Sequence, residues 1–253
     1  MEEFDWNPEF VNFELFPQHI NNNMGLIYHG TSSMYSDDIE ANGFRVNHQP
    51  FPIEGLHEII NLLADLGEPS DFNPEQFQYN LNHAGAIEHY LSSPHPISFT
   101  IAGYPALKFA SGQSKGGQIV GKIRQSLNQI SVLINQLPIE NENRIDYTRR
   151  FEEIQHISDE CNAISEGQGI IYVISPSNEI IQNLYEDHRV IFSRVPIPVE
   201  NIIAKITVNE NYELDEDFKQ QSERIINNHF ITPNTIGFHL FKRQIDHEDN
   251  EDN

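Results

Sequence analysis

Two rhythms of apolar positions run along the chain. Compact apolar runs, the pattern of a buried strand, occur at Met24-Gly25-Leu26-Ile27-Tyr28, at Pro96-Ile97-Ser98-Phe99-Thr100, at Ile170-Ile171-Tyr172-Val173-Ile174, at Val190-Ile191-Phe192 and from Ile202 to Val208. Between them, apolar residues recur every three or four positions, the stripe that one face of a helix buries. Ile59, Ile60, Leu62 and Leu63 mark one such helix, and Ile87, Tyr90 and Leu91 a second. Tyr104 to Ala110 predicts a third. Ile123, Leu127, Ile130, Leu133 and Ile134 mark another, and a further helix runs from about Asp146 to Ile164; with the break at Leu137-Pro138 the two read as a helical hairpin. Shorter helices are predicted around Asp37 to Ala41, closed by Asn42-Gly43, over 177–185, and over Asp215 to Asn227. Residues 1–23 mix aromatic and acidic side chains and read as a loosely packed lead-in. Residues 246–253 are acidic and poor in apolar side chains, which predicts a disordered tail.

The first strand run leads into Tyr28-His29-Gly30-Thr31. A helix follows, then Gly43-Phe44-Arg45-Val46. This order suits a nucleotide corner. A glycine lets the backbone approach a flat ligand edge with no Cβ in the way. Its N–H and C=O can grip a carboxamide. The histidine can donate to a ribose hydroxyl, and Thr31 can fix the turn or bond the ribose. Arg45 can neutralise a phosphate. The bland alternative is a buried histidine at a strand end, followed by a turn.

A second piece joins a strand carrying Ser98, Phe99 and Thr100 to a helix carrying Phe109, in Ala106-Leu107-Lys108-Phe109-Ala110. Aromatic faces on both sides of a flat heteroaromatic ring bind it in a defined orientation. Phe99 and Phe109 read equally as core aromatics. A third piece is Tyr185-Glu186-Asp187-His188-Arg189-Val190, ahead of Ile197-Pro198-Val199-Glu200-Asn201-Ile202. Its carboxylates can stabilise a cationic ribose, or they can be a solvated charged turn.

In this order the three pieces resemble the ADP-ribosyltransferase superfamily, in the branch of diphtheria toxin and the poly-ADP-ribose polymerases. The resemblance covers about 26–50, 96–112 and 168–208. It implies an α+β fold with a split antiparallel sheet core, in one domain over 1–245 with helical insertions near 51–95 and 118–165. It implies NAD as substrate, with His29, Gly30, Thr31, Arg45, Ser98, Phe99, Thr100 and Phe109 around it. Ser98 stands where that branch carries an aromatic, which leaves Phe99 as its substitute or the pocket wall open. The catalytic acid falls first on Asp187 and second on Glu186, or on neither. The implied activity is mono-ADP-ribosyl transfer to an acceptor protein, in the manner of a bacterial effector or toxin. Its alternatives are an NAD glycohydrolase and a domain that only binds a partner. An RNA 2′-phosphotransferase shares the His-Gly-Thr start, but this chain lacks the Arg-His-Arg cluster of such enzymes.

Composition narrows the partners. Of 253 residues, 38 are acidic and 15 basic, a formal charge of -23 that repels nucleic acid and anionic membranes. The charge could suit a basic acceptor, and serves equally for solubility. Cys161 is the single cysteine, so no internal disulfide forms and no cysteine pair holds zinc. His83, His89 and His95 recur at six-residue intervals, a spacing that matches no metal template. Lys115, among Gly112, Gly116 and Gly117, lacks the spacing of a phosphate loop and reads as a mobile loop beside the pocket. Met1-Glu2-Glu3 has neither the basic nor the apolar region of a signal peptide. The expectation is a soluble protein that acts in the cytoplasm or enters a host cell by a signal-independent route, with no metal.

Overall fold

The computed structural model describes residues 1–5, 15–21, 25–47, 51–67, 74–92, 96–112, 115–187, 190–208 and Gln220. The helix expected over Asp215 to Asn227 and the tail expected over 246–253 therefore lie outside the described residues, Gln220 apart. The chain is mixed α and β and divides into two compact units. One comprises Met1–Asn47, Pro96–Gly116 and Glu166–Asn253; the other comprises His48–His95 and Gly117–Ser165.

The first unit holds two sheets. Strand β1 (Glu2–Asp5) and a short helix α1 (Gln18–Asn21) precede β2 (Ile27–Ser32), and α2 (Ser36–Asn42) follows it. The four-stranded sheet has the order β1-β7-β4-β2, with β4 at Gly169–Ile174 and β7 at Ile202–Val208. Its β2–β4 and β4–β7 pairs are antiparallel, but β1 runs parallel to β7, so this sheet is mixed. The second sheet is antiparallel throughout: β3 (Ile97–Phe99) pairs with β6 (Val190–Ser193), which pairs with β5 (Leu184–Asp187). Among the described residues one backbone bridge joins the two sheets, where Tyr28 and Thr100 exchange hydrogen bonds of 2.8 and 2.9 Å.

Side chains alternate across the strands, and each face of the larger sheet has its own core. Ile27, Ile170, Tyr172 and Ile174 meet Phe44, Phe99 and Ile191 on one face. Tyr28, Ile171, Val173, Ala204, Ile206 and Val208 meet helix α5 (Gly103–Ala110) on the other, together with Leu15, Phe16 and Ile20. The loosely packed lead-in is thus corrected in two places: β1 is a paired edge strand, and Leu15, Phe16 and Ile20 are core. An edge strand with three exposed side chains carries no apolar rhythm, which is why the pattern missed it.

Helix α5 lies directly on the main chain of two strands. A Cβ on Gly30 would stand 1.9 Å from the Ala106 carbonyl oxygen, and one on Gly169 would stand 1.7 Å from that of Ala110. Those two glycines bring the helix backbone within contact of β2 and β4. Pro105 sits in the first turn of α5, where no intrahelical N–H is needed. The nucleotide corner is corrected as well: His29, Gly30 and Thr31 are interior positions of β2, paired with Tyr172, Ile171 and Ile170, and do not form a turn.

Two other elements differ from expectation. The helix over 177–185 stops at Asn183, as α9 (Asn178–Asn183) capped by Ser177, and Leu184 begins β5. The helix from Asp146 to Ile164 is two, α7 (Arg144–Glu153) and α8 (Gln155–Glu166), broken at Ile154. They belong to the second unit with α3 (Ile53–Gly67), α4 (Pro74–Ser92) and α6 (Gln118–Gln136). There Leu56, Ile59, Leu62, Leu63, Ile87, Ile123, Leu127, Ile130 and Ile134 form the buried interior. Arg150 of α7 ties back to α3 through Glu58 (2.5 Å) and Asp65 (2.8 Å). Among the described residues, no helix is long and apolar enough to cross a membrane.

The glycine contact gives a prediction. Gly30→Ala should destabilise the first unit by about 3 kcal/mol, because the clash is with rigid backbone. Gly85→Ala, on an exposed stretch of α4 with nothing within 4 Å of the added Cβ, should instead stabilise by about 0.5 kcal/mol. Urea denaturation of both variants checks the contrast.

Candidate nucleotide-binding site

Where β2 and β3 part beyond the Tyr28–Thr100 bridge, the side chain of His29 takes over from the backbone. Its Nδ1 lies 2.7 Å from the Ser98 carbonyl oxygen. A carbonyl can only accept, so Nδ1 carries the proton and donates. The ring packs edge-on against Phe44 (4.7 Å between centroids) and Phe99 (5.7 Å). Phe44 in turn meets Phe99 and Tyr172 edge-on.

This enclosure sets the protonation state. Burial pushes the pKa of His29 down to about 4, against a smaller upward pull from the bond to Ser98. His29 keeps part of its surface in solvent, beside the faces packed on Phe44 and Phe99. At neutral pH the imidazole is neutral, and Nε2 is an acceptor. The sequence alone makes His29 a candidate donor; a neutral ring held this way offers an acceptor at Nε2 instead.

His29 also heads a polar row across the larger sheet: His29 pairs with Tyr172, Tyr172 with Lys205, and Lys205 with Glu3. Glu40 of α2 accepts from the Tyr172 hydroxyl and from the Lys205 ammonium, each at 3.0 Å, and Glu3 meets Lys205 at 3.2 Å. Burial raises the Tyr172 hydroxyl pKa above its ordinary value, so it stays protonated and donates. The row fixes Tyr172 beneath Phe44, and Phe44 against His29.

A cleft opens beside the ring, lined by Tyr28, His29, Gly30, Ser98, Phe99, Thr100, Phe109 and Val190. Six of these are residues that the sequence singled out, from segments about seventy positions apart. The free space is small, about 10 Å³, at the lower limit for one water. A single hydroxyl matches that space, and a whole ring does not.

The other candidates divide. Arg45 is exposed and paired with Asp38 at 2.5 Å, and it does not line the cleft. Gly43 before it has a φ of 72° and sits against the Ile197 carbonyl, so that Phe44 can exchange two backbone hydrogen bonds with Ile197. The Gly-Phe-Arg turn therefore has a structural purpose of its own. Thr31 is buried within β2 and also lies outside the cleft lining. Thr100 donates its hydroxyl to the Ala102 carbonyl at 2.8 Å. Phe99 is almost wholly buried, and Phe109 keeps part of its surface in solvent.

Glu186 and Asp187 lie on β5, not in a charged turn. The register sets Asp187 opposite Val190, a lining residue, and Glu186 opposite the fully buried Ile191. Lys115 is buried and donates to the Gly167 carbonyl at 2.6 Å, which anchors the loop read as mobile. Cys161 is buried, its thiol pushed up to about 12 by burial, and is inert as a nucleophile. His83 is buried beside Ser126 in the helical unit. A shallower groove of about 430 Å³ on that unit, lined by Ile139, Arg144, Ile145, Thr148, Arg149 and Glu152, contains none of the candidate residues. Among the described residues, no three His, Cys, Asp or Glu side chains are grouped to hold a metal.

Tyr28 and Val190 stand inside the segments that the sequence points to, in Tyr28-His29-Gly30-Thr31 and at the end of the acidic piece, but neither carries a ligand role there. Val190-Ile191-Phe192 is apolar throughout, so no sequence alternation places Val190 on an outer face; the burial of Ile191 between two part-exposed neighbours does. Comparison with protein-family models, with curated proteins and with solved structures finds no match.

The depressed pKa of His29 makes stability depend on pH. The unfolded chain protonates this group near 6.5 and the folded one only near 4, so the unfolded state binds more protons in between. The contribution of neutral His29 is complete above pH 6.5 and is lost as pH falls toward 4. Its limit is about 3 kcal/mol, reduced by the ring's partial access to solvent. Urea denaturation at stepped pH should show this slope in the parent protein and a shallower one in His29→Gln.

Proposed function

We propose that the cleft at His29 takes a hydroxyl of the nicotinamide ribose of NAD, and that the protein is an NAD-dependent mono-ADP-ribosyltransferase acting on an acceptor protein. The observation that supports this is convergence: His29 and Gly30 on β2, Ser98, Phe99 and Thr100 on and after β3, and Phe109 on α5 line one cleft. The resemblance picked out these residues from separate motifs.

In this reading neutral His29 accepts from a ribose hydroxyl through Nε2 while Nδ1 stays on Ser98. That bond orients the ribose without placing a positive charge beside it. The bond from C1′ to the nicotinamide nitrogen then breaks, and its electron pair leaves with neutral nicotinamide. The ribose carbon becomes cationic, and a carboxylate nearby stabilises it. Asp187 is the first candidate because of its register beside Val190. The acceptor's nucleophile forms the new bond to C1′ and loses its proton to solvent or to that carboxylate. The enclosure by Phe44 and Phe99 excludes water on one side. A surface of charge -23 favours a basic acceptor. Arg45, held by Asp38, takes a phosphate only after leaving that pair.

The test uses NAD labelled in the adenylate half, incubated with the protein and a cell lysate. Label should appear on a lysate protein, and His29→Ala should reduce transfer at least about tenfold, the cost of one lost hydrogen bond to a polar ligand group. Asp187→Asn should reduce turnover by about a hundredfold and leave NAD affinity nearly unchanged. Release of free ADP-ribose alone identifies a hydrolase. Absence of both NAD binding and NAD consumption contradicts the proposal.

A further inference from the structure

The outer face of the three-stranded sheet carries a feature that the corner motifs do not include. Ser98 on β3, Phe192 on β6 and Tyr185 on β5 are register partners and form one row. Ser98 is exposed, and Phe192 and Tyr185 keep part of their surface in solvent. Their neighbours Phe99 and Ile191 are buried, so the row lies on the face turned away from the core.

Phe192 and Tyr185 stack, with centroids 5.5 Å apart and planes 27° from parallel. The Arg194 guanidinium caps the stack, 4.4 Å over Tyr185, a cation–π arrangement. Beyond Phe192, among the described residues, no third ring continues the stack, and the register partner on that side is the small Ser98. Ser98 and Val190 also line the His29 cleft, so the open end of the stack and the cleft share a rim.

We infer that Phe192 is the docking face for the nicotinamide ring of NAD, which lies over Ser98 with its ribose toward His29. This rests on the reading of the cleft as an NAD site and names the residue that receives the ring. Adjacent strands stand about 4.8 Å apart. A ring over Ser98 therefore meets Phe192 at nearly the spacing at which Phe192 meets Tyr185. The cleft admits only a water-sized group, which places the ring outside it, on the rim. The nicotinamide ring of NAD is cationic, so the negative face of Phe192 attracts it. The small Ser98 side chain leaves the room; Phe192, one strand away, supplies the π-face.

Calorimetric titration of the full chain with NAD, nicotinamide mononucleotide, AMP and ADP-ribose tests this. Phe192→Leu keeps apolar bulk without a π-face, and Phe192→Tyr keeps the ring; circular dichroism verifies that both fold. The expected result is an affinity loss of about tenfold in Phe192→Leu for NAD and the mononucleotide. ADP-ribose should bind that variant as it binds the parent, and Phe192→Tyr should restore NAD affinity. Equal NAD affinity in the parent and Phe192→Leu would overturn the inference and leave the NAD site standing. A loss shared by NAD, AMP and ADP-ribose and absent for the mononucleotide would also overturn it, by placing adenine on Phe192. A parent protein that binds none of the four ligands would sink the NAD site and this inference together.

Discussion

Helix α5 rests its backbone on the main chain of β2 and β4, at Gly30 and Gly169, and the geometry of the candidate site follows from that contact. Any side chain at either position would meet a carbonyl oxygen at under 2 Å. With the helix seated there, Phe109 reaches the rim of the cleft. Tyr28, on the same strand as Gly30, is held by its bridge to Thr100, which fixes where the smaller sheet leaves the larger one. His29 then finds the Ser98 carbonyl within hydrogen-bond distance. One close approach of backbone to backbone thereby sets the helix, the divergence of the sheets and the imidazole.

The second constraint is electrostatic. An imidazole among Phe44, Phe99 and strand backbone is neutral at physiological pH, and the Ser98 carbonyl selects its tautomer. The ring is then a positioned acceptor and not a cation. This suits a site where positive charge would develop on a ribose, since a second positive charge there would oppose the reaction. In the row from His29 through Tyr172 to Lys205, the one ammonium is held between two carboxylates, Glu40 and Glu3.

Much of the fold was legible where burial imposes a rhythm. The stripe of Ile123, Leu127, Ile130 and Ile134 is the buried face of α6, and Ile170 to Ile174 is a strand buried on both faces. What escaped was structure held by pairing instead of apolar burial. β1 has little apolar content and is held by its ladder to β7 and by Lys205. His29-Gly30-Thr31 has poor strand propensity, yet β4 pairs with it along its whole length. Tyr185-Glu186-Asp187 reads as a helix end and charged turn, yet β6 recruits it as a strand. In the site, the residues on β2, β3 and α5 were legible as motifs. Their partition was not: Gly30 serves helix packing, Arg45 is taken by Asp38, and Phe192 stands on a face visible only once three strands are in register.

The central claim is that His29 presents Nε2 as an acceptor to the ribose of NAD. The most direct measurement is nitrogen NMR of the protein labelled in its histidine rings, titrated with NAD at neutral pH. The account predicts a protonated Nδ1 signal that holds its position and an unprotonated Nε2 signal that shifts on hydrogen bonding, with no shift in His29→Gln, which lacks the ring. An Nε2 signal unmoved by saturating NAD, or a ring already doubly protonated at neutral pH, would contradict it.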